Sequence, residues 1–157
     1  MNRRRLFFLT LGGVLLPALP AIGNAVLPPV EVFKSPTCGC CGAWVEHMRA
    51  AGFVVDVTNV DDTTAARKRF GMPDTFGSCH TALVGGYVVE GHVPAADVKR
   101  LLGLKASAVG LSVPGMVPGS PGMEVGSRHD PYKVFLVDRN GRATVFASYF
   151  EASTSRP

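Results

Sequence analysis

Apolar and polar positions alternate in short runs along the middle of the chain, and these runs predict strands and helices in a fixed order. The β-rich stretches "VEVFKS" at 30–35 and "FVVDVTNV" at 53–60 predict the first two strands. Between them, "CGAWVEHMRAAG" at 41–52 has helix-forming composition and stops at a glycine. Residues 61–71, "DDTTAARKRFG", begin with acids and end with bases, as a helix dipole favours. The first half therefore predicts the order strand, helix, strand, helix.

The second half predicts a hairpin, a helix, a long loop and a final hairpin. "TALVGGYVVEGH" at 81–92 turns at two glycines, and "PAADVKRLLG" at 94–103 starts with proline and stops at glycine, as a helix does. Residues 103–130, which include "VPGMVPGSPGMEVG", are dense in turn formers and predict a long ordered loop. The last segment, "YKVFLVDRNGRATVFASYF" at 132–150, predicts a hairpin that turns at its Asn-Gly pair.

These elements predict an α/β fold in a single domain. In a βαβα–ββα order, the first strands are parallel through a crossover helix, an antiparallel pair follows, and helices cover the sheet. A thioredoxin-like fold has this order, here with an added Pro/Gly/Met loop and a C-terminal β-hairpin. A chain of 157 residues is long enough to bury one hydrophobic core.

Residues 1–25 have the layout of a secretory signal peptide. Three arginines precede an apolar run and a group of small residues, and we expect cleavage near Ala25. An uncleaved membrane anchor is the alternative, but the apolar run is short for a span and contains Pro17 and Pro20. The expected mature domain therefore comprises residues 26–157, lies in the periplasm and has no stable membrane span. Export by the Sec or by the twin-arginine route stays open.

The charge of the chain belongs mostly to this expected signal. The formal net charge of +4 falls to +1 when its three arginines are removed. The remaining chain has no basic stripe, and the basic run at 67–69 is expected to be a solvated helix face. Nucleic acid is therefore excluded as a partner. Export also makes the four cysteines informative, because thiols outside the cytoplasm are paired, catalytic or bound to metal.

Three of these cysteines are crowded into "SPTCGCCGAW" at 35–44. Cys38 and Cys41 form a C-x-x-C pair at a predicted helix start, where the helix dipole favours the thiolate, which is both nucleophile and metal ligand. Cys40 would compete for the disulfide of a simple dithiol enzyme, whereas Cu(I) accepts crowded, bridging thiolates. The motif therefore predicts a copper or redox site, with a structural disulfide cluster as the alternative.

The fourth cysteine is expected to complete that site. Cys79 lies just before the predicted third strand, and in thioredoxin-like folds the loop entering that strand is beside the cysteine motif. The alternative is a buried small hydrophobe, since free cysteine often packs that way. His80 is its neighbour, but adjacent strand residues point to opposite faces, so the two side chains are not expected to share a metal.

Other soft or imidazole donors remain open as ligands. His47 lies on the predicted first helix and is either a ligand or a half-buried structural residue. Met116 and Met123 lie on the Pro/Gly-rich loop, where they either cover the site as soft thioether ligands or fill gaps under the loop. His92 and His129 have no supporting context, and we expect them to be structural or exposed.

Three blocks of the sequence together resemble one known family. "SPTCGCCGAWVEHMRAAGF", "SCHTALVGGYVVEGHVPAADVKRLL" and "VPGMVPGSPGME" are similar to the CopG-type periplasmic metal-binding proteins, formerly a family of unknown function. The similarity extends over residues 30–149. It implies a thioredoxin-like fold, an association with copper resistance, and copper held at a C-x-C-C motif in a thiolate cluster of several ions. The metal ligands that it implies are Cys38, Cys40, Cys41 and Cys79.

The sequence thus predicts a periplasmic protein that holds Cu(I), or cycles it with Cu(II), and that has copper ions and a copper efflux or storage protein as partners. The alternative is a thiol–disulfide oxidoreductase with Cys38 as the nucleophile and Cys41 as the resolving thiol. Against it, Ser78 to Thr81 lacks the proline that such enzymes place before the third strand. A metallochaperone is a third interpretation, and whether the protein turns over as a copper-linked oxidoreductase stays open.

Overall fold

A computed structural model describes residues 26–151. It contains one mixed sheet of seven strands in the order β2-β1-β3-β4-β5-β6-β7, together with three α-helices. The elements along the chain are β1 Val30–Lys34, α1 Gly39–Ala50, β2 Val55–Asn59, α2 Thr63–Arg69, a 3₁₀ turn Asp74–Phe76, β3 His80–Val84, β4 Tyr87–Glu90, α3 Ala95–Leu104, β5 Gly110–Ser112, β6 Tyr132–Val137 and β7 Ala143–Tyr149.

The predicted α/β class and the βαβα–ββα order are confirmed. Strand β1 pairs in parallel with β2 and antiparallel with β3, and β3 pairs antiparallel with β4. The tight turn between β3 and β4 consists of Gly85 and Gly86, which both have positive φ. These strand directions agree with the predicted thioredoxin-like arrangement, and they place the start of α1 and the start of β3 at one edge of the sheet.

The prediction of an uninterrupted loop over 103–130 is wrong. Strand β5 lies inside this segment, pairs in parallel with β4 and antiparallel with β6, and so joins the C-terminal hairpin to the main sheet. Strand β5 cannot be recognised from the sequence because three residues are too few to show an alternation of apolar and polar positions, and because glycine weakens a strand. Gly110 is required there, since a Cβ would lie 1.7 Å from the Val88 carbonyl oxygen.

The core lies mainly on the face of the sheet that α1 and α3 cover. Trp44 and Met48 of α1 and Leu101 of α3 are fully buried in one cluster with the inward side chains of six strands, β1 to β6. A smaller cluster around Met72 and Val88 lies on the other face. The two covered faces explain why β3 and β4 are hydrophobic along nearly their whole length.

The predicted signal peptide lies outside the described residues. Among the helices of residues 26–151, none has both the length and the apolar composition that a membrane crossing needs.

Candidate metal centre

The start of helix α1 provides three of the four sulfur atoms. Cys38 is the N-cap residue, and the first turn of the helix contains no acidic side chain. The free backbone N–H groups and the helix dipole therefore act on the sulfurs without a competing carboxylate on that turn. Cys41 is fully buried, whereas Cys38 and Cys40 are half-buried. The motif thus faces solvent with two sulfurs and the core with one.

All four cysteine sulfurs come together. A disulfide joins Cys38 to Cys41, and Cys40 and Cys79 are free thiols. The Sγ atoms of Cys38 and Cys40 are 3.5 Å apart, and the four Sγ atoms lie within 4.8 Å of one another. The structure therefore brings Cys79 beside the motif, as the sequence predicted. Four soft donors at this spacing fit a soft metal ion once the disulfide is reduced.

Cys79 has a different electrostatic environment from the cysteines of α1. Burial raises the pKa of its thiol to about 11, the nearby Cys40 thiol adds to that increase, and the Ser78 hydroxyl opposes it. The metal-free Cys79 is therefore a thiol at neutral pH. A metal ion that binds this sulfur must displace the proton, so its affinity rises with pH.

A buried ion pair holds the backbone in front of Cys79. The carboxylate of Glu90 is fully buried and accepts hydrogen bonds from the Ser78 N–H at 2.7 Å and the Thr81 hydroxyl at 2.7 Å. The guanidinium of Arg67 contacts Glu90 at 3.3 Å and Asp74 at 3.2 Å. The expectation that Arg67 lies on a solvated helix face is wrong, because its side chain is only 9% exposed and neutralises Glu90.

His92 lies against Cys79, and sequence reasoning gave it no role in the site. Its Nε2 is 3.0 Å from the Cys79 Sγ, and its Nδ1 is 2.8 Å from the Pro121 carbonyl oxygen. A carbonyl only accepts, so Nδ1 carries the proton and the Nε2 lone pair faces the sulfur. The hairpin register contained the missing information: Thr81 pairs with Glu90, so two residues further Cys79 and His92 stand opposite each other.

His80 also faces the Cys79 sulfur. Its ring is fully buried, packs 4.4 Å from the Trp44 ring between centroids, and places Nδ1 3.5 Å from the Cys79 Sγ. Its Nε2 has no hydrogen-bond partner within the part of the chain that the structure describes. Burial lowers the pKa of His80 to about 3, and the nearby His92 and Lys34 act in the same direction. The expectation that Cys79 and His80 point apart is wrong, because Cys79 precedes the first pleated residue of β3.

The other two histidines have partners away from the sulfurs. His47 Nε2 accepts a hydrogen bond of 3.0 Å from the Ala95 N–H at the start of α3, and burial lowers the pKa of its imidazole. His129 is exposed and stacks on the Phe150 ring with centroids 4.6 Å apart. His47 therefore caps α3, and His129 lies outside the site, as expected.

The Pro/Gly-rich loop packs over the site. The Ser78 hydroxyl donates a hydrogen bond to the Gly115 carbonyl, and Pro121 holds His92. Gly122 has φ +82°, and a Cβ there would lie 2.6 Å from the backbone nitrogen of Trp44 and 2.8 Å from the backbone carbonyl oxygen of Cys40. Met116 on the same loop is 59% exposed. The loop thus fixes the histidine side of the site through its backbone.

Comparisons with known proteins agree with this description. The family model described as "Protein of unknown function, DUF411" matches residues 76–123. A solved structure described as "Copper resistance protein copG- Form 2" is 46% identical, covers 80% of this chain and 99% of its own, and superposes with a TM-score of 0.75. Form 1 of that protein is also 46% identical, with coverages of 78% and 98% and a TM-score of 0.74. No curated protein matches.

Proposed function

Because the chain belongs to the CopG family of copper resistance proteins, we propose that it holds Cu(I) at Cys38, Cys40, Cys41 and Cys79 and serves copper resistance or copper-linked redox chemistry. The observation that carries this proposal is the convergence of four sulfur atoms within 4.8 Å from two separate elements. Thiolates are soft ligands that favour Cu(I), and bridging sulfurs accommodate several ions in a small volume.

The crowding of the sulfurs supports a cluster rather than a single ion. Cys40 is 3.5 Å from Cys38 without being bonded to it, so a third thiol stands beside the C-x-x-C pair. Loading the site requires that the Cys38–Cys41 disulfide first takes up two electrons and two protons. The thiols then lose their protons as copper binds, which protects them from oxidation.

Export and delivery complete the proposal. The arginine-initiated apolar segment at 1–25 supports secretion to the periplasm, where copper reaches the cell before the cytoplasm. The half-buried Cys38 and Cys40 give a partner access to the sulfurs, which suits transfer of copper to an efflux or storage protein. A metallochaperone role shares this chemistry and differs in the presence of a recipient.

The test is an anaerobic titration of the reduced, exported protein with Cu(I) against a competing chelator of known affinity. We expect more than one copper ion per chain at saturation, with all four thiols protected from alkylation. In Cys40→Ser the stoichiometry falls strongly, whereas in the matched Thr37→Ser variant, which alters an exposed neighbour of the motif, it does not. Equal copper loading of Cys40→Ser and the parent protein would contradict the proposed copper cluster.

A thiol–disulfide oxidoreductase is the second candidate, and the Cys38–Cys41 disulfide favours it. The accessible Cys38 thiolate would attack a substrate disulfide, and the buried Cys41 thiol would then displace the product thiol, which leaves the substrate as a dithiol and the pair oxidised. This candidate predicts that Cys38→Ser abolishes disulfide reduction and that Cys40→Ser retains it. A disulfide-reduction assay beside the copper titration separates the two candidates.

A further inference from the structure

One edge of the sheet, strand β2, directs backbone groups away from the rest of the protein. Strand β2 is terminal in the sheet order and pairs with β1 in parallel, without a register shift. At one end of this pair the Val30 N–H donates to the Val54 carbonyl, and at the other end the Val60 N–H donates to the Lys34 carbonyl. The even-numbered residues of 54–60 therefore bond to β1, and the N–H and C=O groups of 55, 57 and 59 face outward.

The middle of this edge is open. The Val55 carbonyl accepts a hydrogen bond of 3.0 Å from the Arg49 guanidinium, which agrees with the outward direction of the odd-numbered residues. Within residues 26–151, the outward backbone groups of Val57 and Asn59 have no hydrogen-bond partner. The Val57 side chain is 40% exposed. An edge with unpaired backbone groups is a template on which another extended chain can form hydrogen bonds.

The opposite edge of the sheet, strand β7, is protected. Its pairing with β6 shifts register between Val134 and Phe135, and such an irregularity bends an edge strand. The Arg100 guanidinium also donates to the Phe146 carbonyl at 2.7 Å and lies 3.7 Å from the centroid of the Phe146 ring. Strand β2 has a continuous ladder and no such cover at its centre, so it is the edge that can accept a partner.

Two clefts lie along β2 on the face of the sheet that carries α2. The first has a volume of about 400 Å³ and is lined in part by Glu31, Asp56 and Leu83. The second has a volume of about 360 Å³ and includes Phe33 in its lining. Both clefts include Thr58, so they form one groove beside the open edge. A strand added to β2 would direct alternate side chains into this groove.

The first cleft is acidic. Glu31 and Asp56 stand opposite each other in the register of β1 and β2, and both are exposed. Neither carboxylate forms a salt bridge in the part of the chain that the structure describes. Like charges directly opposite each other destabilise a sheet. A cationic side chain placed between the two carboxylates would remove this repulsion, so the cleft is complementary to lysine or arginine.

The second cleft is apolar along its floor. The rings of Phe33 and Phe70 lie 5.3 Å apart between centroids, and Ala65 of α2 forms part of the wall. Phe33 follows Glu31 by two residues on β1, as Thr58 follows Asp56 on β2. Side chains two residues apart on one strand lie on the same face. The groove therefore offers an acidic and an apolar position at the spacing that an extended peptide requires.

From the open edge and the two clefts we infer that β2 binds an extended segment of a partner protein as an added strand, with a cationic side chain between Glu31 and Asp56 and an apolar side chain beside Phe33. This is recognition by strand addition, in which the backbone gives affinity and the pockets give specificity. A second copy of the chain is disfavoured, because antiparallel pairing of two β2 strands would bring four carboxylates to one face of the joined sheet. The inference goes beyond the proposed function and involves no metal.

The test uses a synthetic peptide and the copper-free exported protein. The probe is an acetylated, amidated heptapeptide of threonine and valine with phenylalanine at its third position and lysine at its fifth, the order for antiparallel addition. In amide NMR spectra we expect shifts and slower hydrogen exchange at Val57 and Asn59, and no change in β7. Replacing the lysine by glutamate, or methylating the backbone nitrogens that face β2, should abolish these changes.

Variants of the two clefts separate the contributions of charge and of apolar contact. Glu31→Gln combined with Asp56→Asn should lower the affinity for the lysine peptide about fivefold, whereas Glu46→Gln, at an exposed acid on α1, should leave it unchanged. The double variant should also unfold at a higher urea concentration, because the repulsion is gone.

Filling the apolar cleft tests the second contact. Ala65→Phe should weaken peptide binding about tenfold or more, since the apolar side chain of the peptide loses its place. Ala50→Phe, which adds the same ring at an exposed position of α1, is the matched control. Circular dichroism verifies that each variant is folded.

Three results would overturn the inference. These are the absence of shifts in β2 with every peptide, equal binding of the lysine and glutamate peptides, and concentration-dependent dimerisation with shifts at Val57, which would assign the edge to a second copy. Sedimentation equilibrium without peptide measures the last of these. Because the protein carries no copper in these experiments, each result leaves the copper proposal to its own Cu(I) titration.

Discussion

The two sides of the metal centre are built in different ways. On the α1 side, Cys38, Cys40 and Cys41 are consecutive or nearly so, and a helix start positions them. On the β3 side, Cys79 and His92 flank the two strands of one hairpin, face each other at its open end and are held by contacts from elsewhere in the chain. One side is local and partly exposed, whereas the other is tertiary and buried. Mutations that leave the α1 side intact should therefore still disable the β3 side.

The largest effect is expected from Glu90→Ala. This change removes the acceptor of the Ser78 N–H and leaves the buried Arg67 guanidinium with the half-exposed carboxylate of Asp74 as its remaining partner. Breaking one partner of a buried ion pair costs about 3–5 kcal/mol of unfolding free energy. Urea unfolding followed by circular dichroism measures this loss, and we expect copper bound through Cys79 to weaken with it.

Glu46→Ala is the matched control for that change. Glu46 pairs with Arg49 at 2.7 Å, but both side chains are well exposed on α1, so the loss is about 0.5 kcal/mol or less. The difference between the two variants measures how much more the β3 side depends on its buried support. Equal losses would remove the distinction between the two sides.

The next effect in size is an acid sensitivity of the metal-free protein. Burial lowers the pKa of His80 to about 3, whereas an unfolded histidine has a pKa near 6.5. Below pH 6.5 the unfolded chain binds a proton that the folded chain refuses, so stability is lost as the pH falls. By pH 4 the loss from this one ring is about 3 kcal/mol.

Other buried groups change how steeply the unfolding free energy depends on pH. The pKa of His92 is also lowered by burial and adds to the loss, while burial raises the pKa of Glu90 and opposes it. Unfolding free energies measured by urea from pH 7 to 4 give the total slope, and His80→Gln isolates the share of His80. A slope that His80→Gln leaves unchanged would assign the acid sensitivity to another group.

The contrast between the two sides also explains what the sequence could predict. The cysteine motif, its helix and the position of Cys79 follow from local patterns and from the order of elements. The role of His92 depends on the register of the hairpin. The role of Arg67 depends on a buried carboxylate 23 residues away. Strand β5 depends on a close pairing with β4 that only a glycine at position 110 permits. Periodicity describes single elements, and these three features exist only where elements meet.

A smaller effect is expected where the loop meets α1. Gly122→Ala places a Cβ 2.6 Å from the backbone nitrogen of Trp44, whereas the Cβ added by Gly126→Ala has no other atom within 4 Å. Both positions have positive φ. The shared backbone cost cancels in the comparison, so Gly122→Ala should be about 1–3 kcal/mol less stable from overpacking. Since the loop covers the site, we also expect faster alkylation of Cys79 in Gly122→Ala. Equal alkylation rates would show that the loop does not shield the sulfur.

The smallest effect is expected from Met116→Leu, and it decides whether the Met116 thioether contributes to the site in addition to the backbone of the loop. The Met116 side chain is 59% exposed, whereas the contacts of the loop with the site come from backbone groups of Gly115, Pro121 and Gly122. A Cu(I) titration should therefore give the same affinity within about twofold, since leucine conserves the volume and removes only the sulfur. A drop of about tenfold or more would mean that the loop closes over bound copper and contributes a soft ligand. The α1 side, the β3 side and the loop would then form one continuous ligand shell, and the division of the centre into a local and a tertiary half would no longer hold.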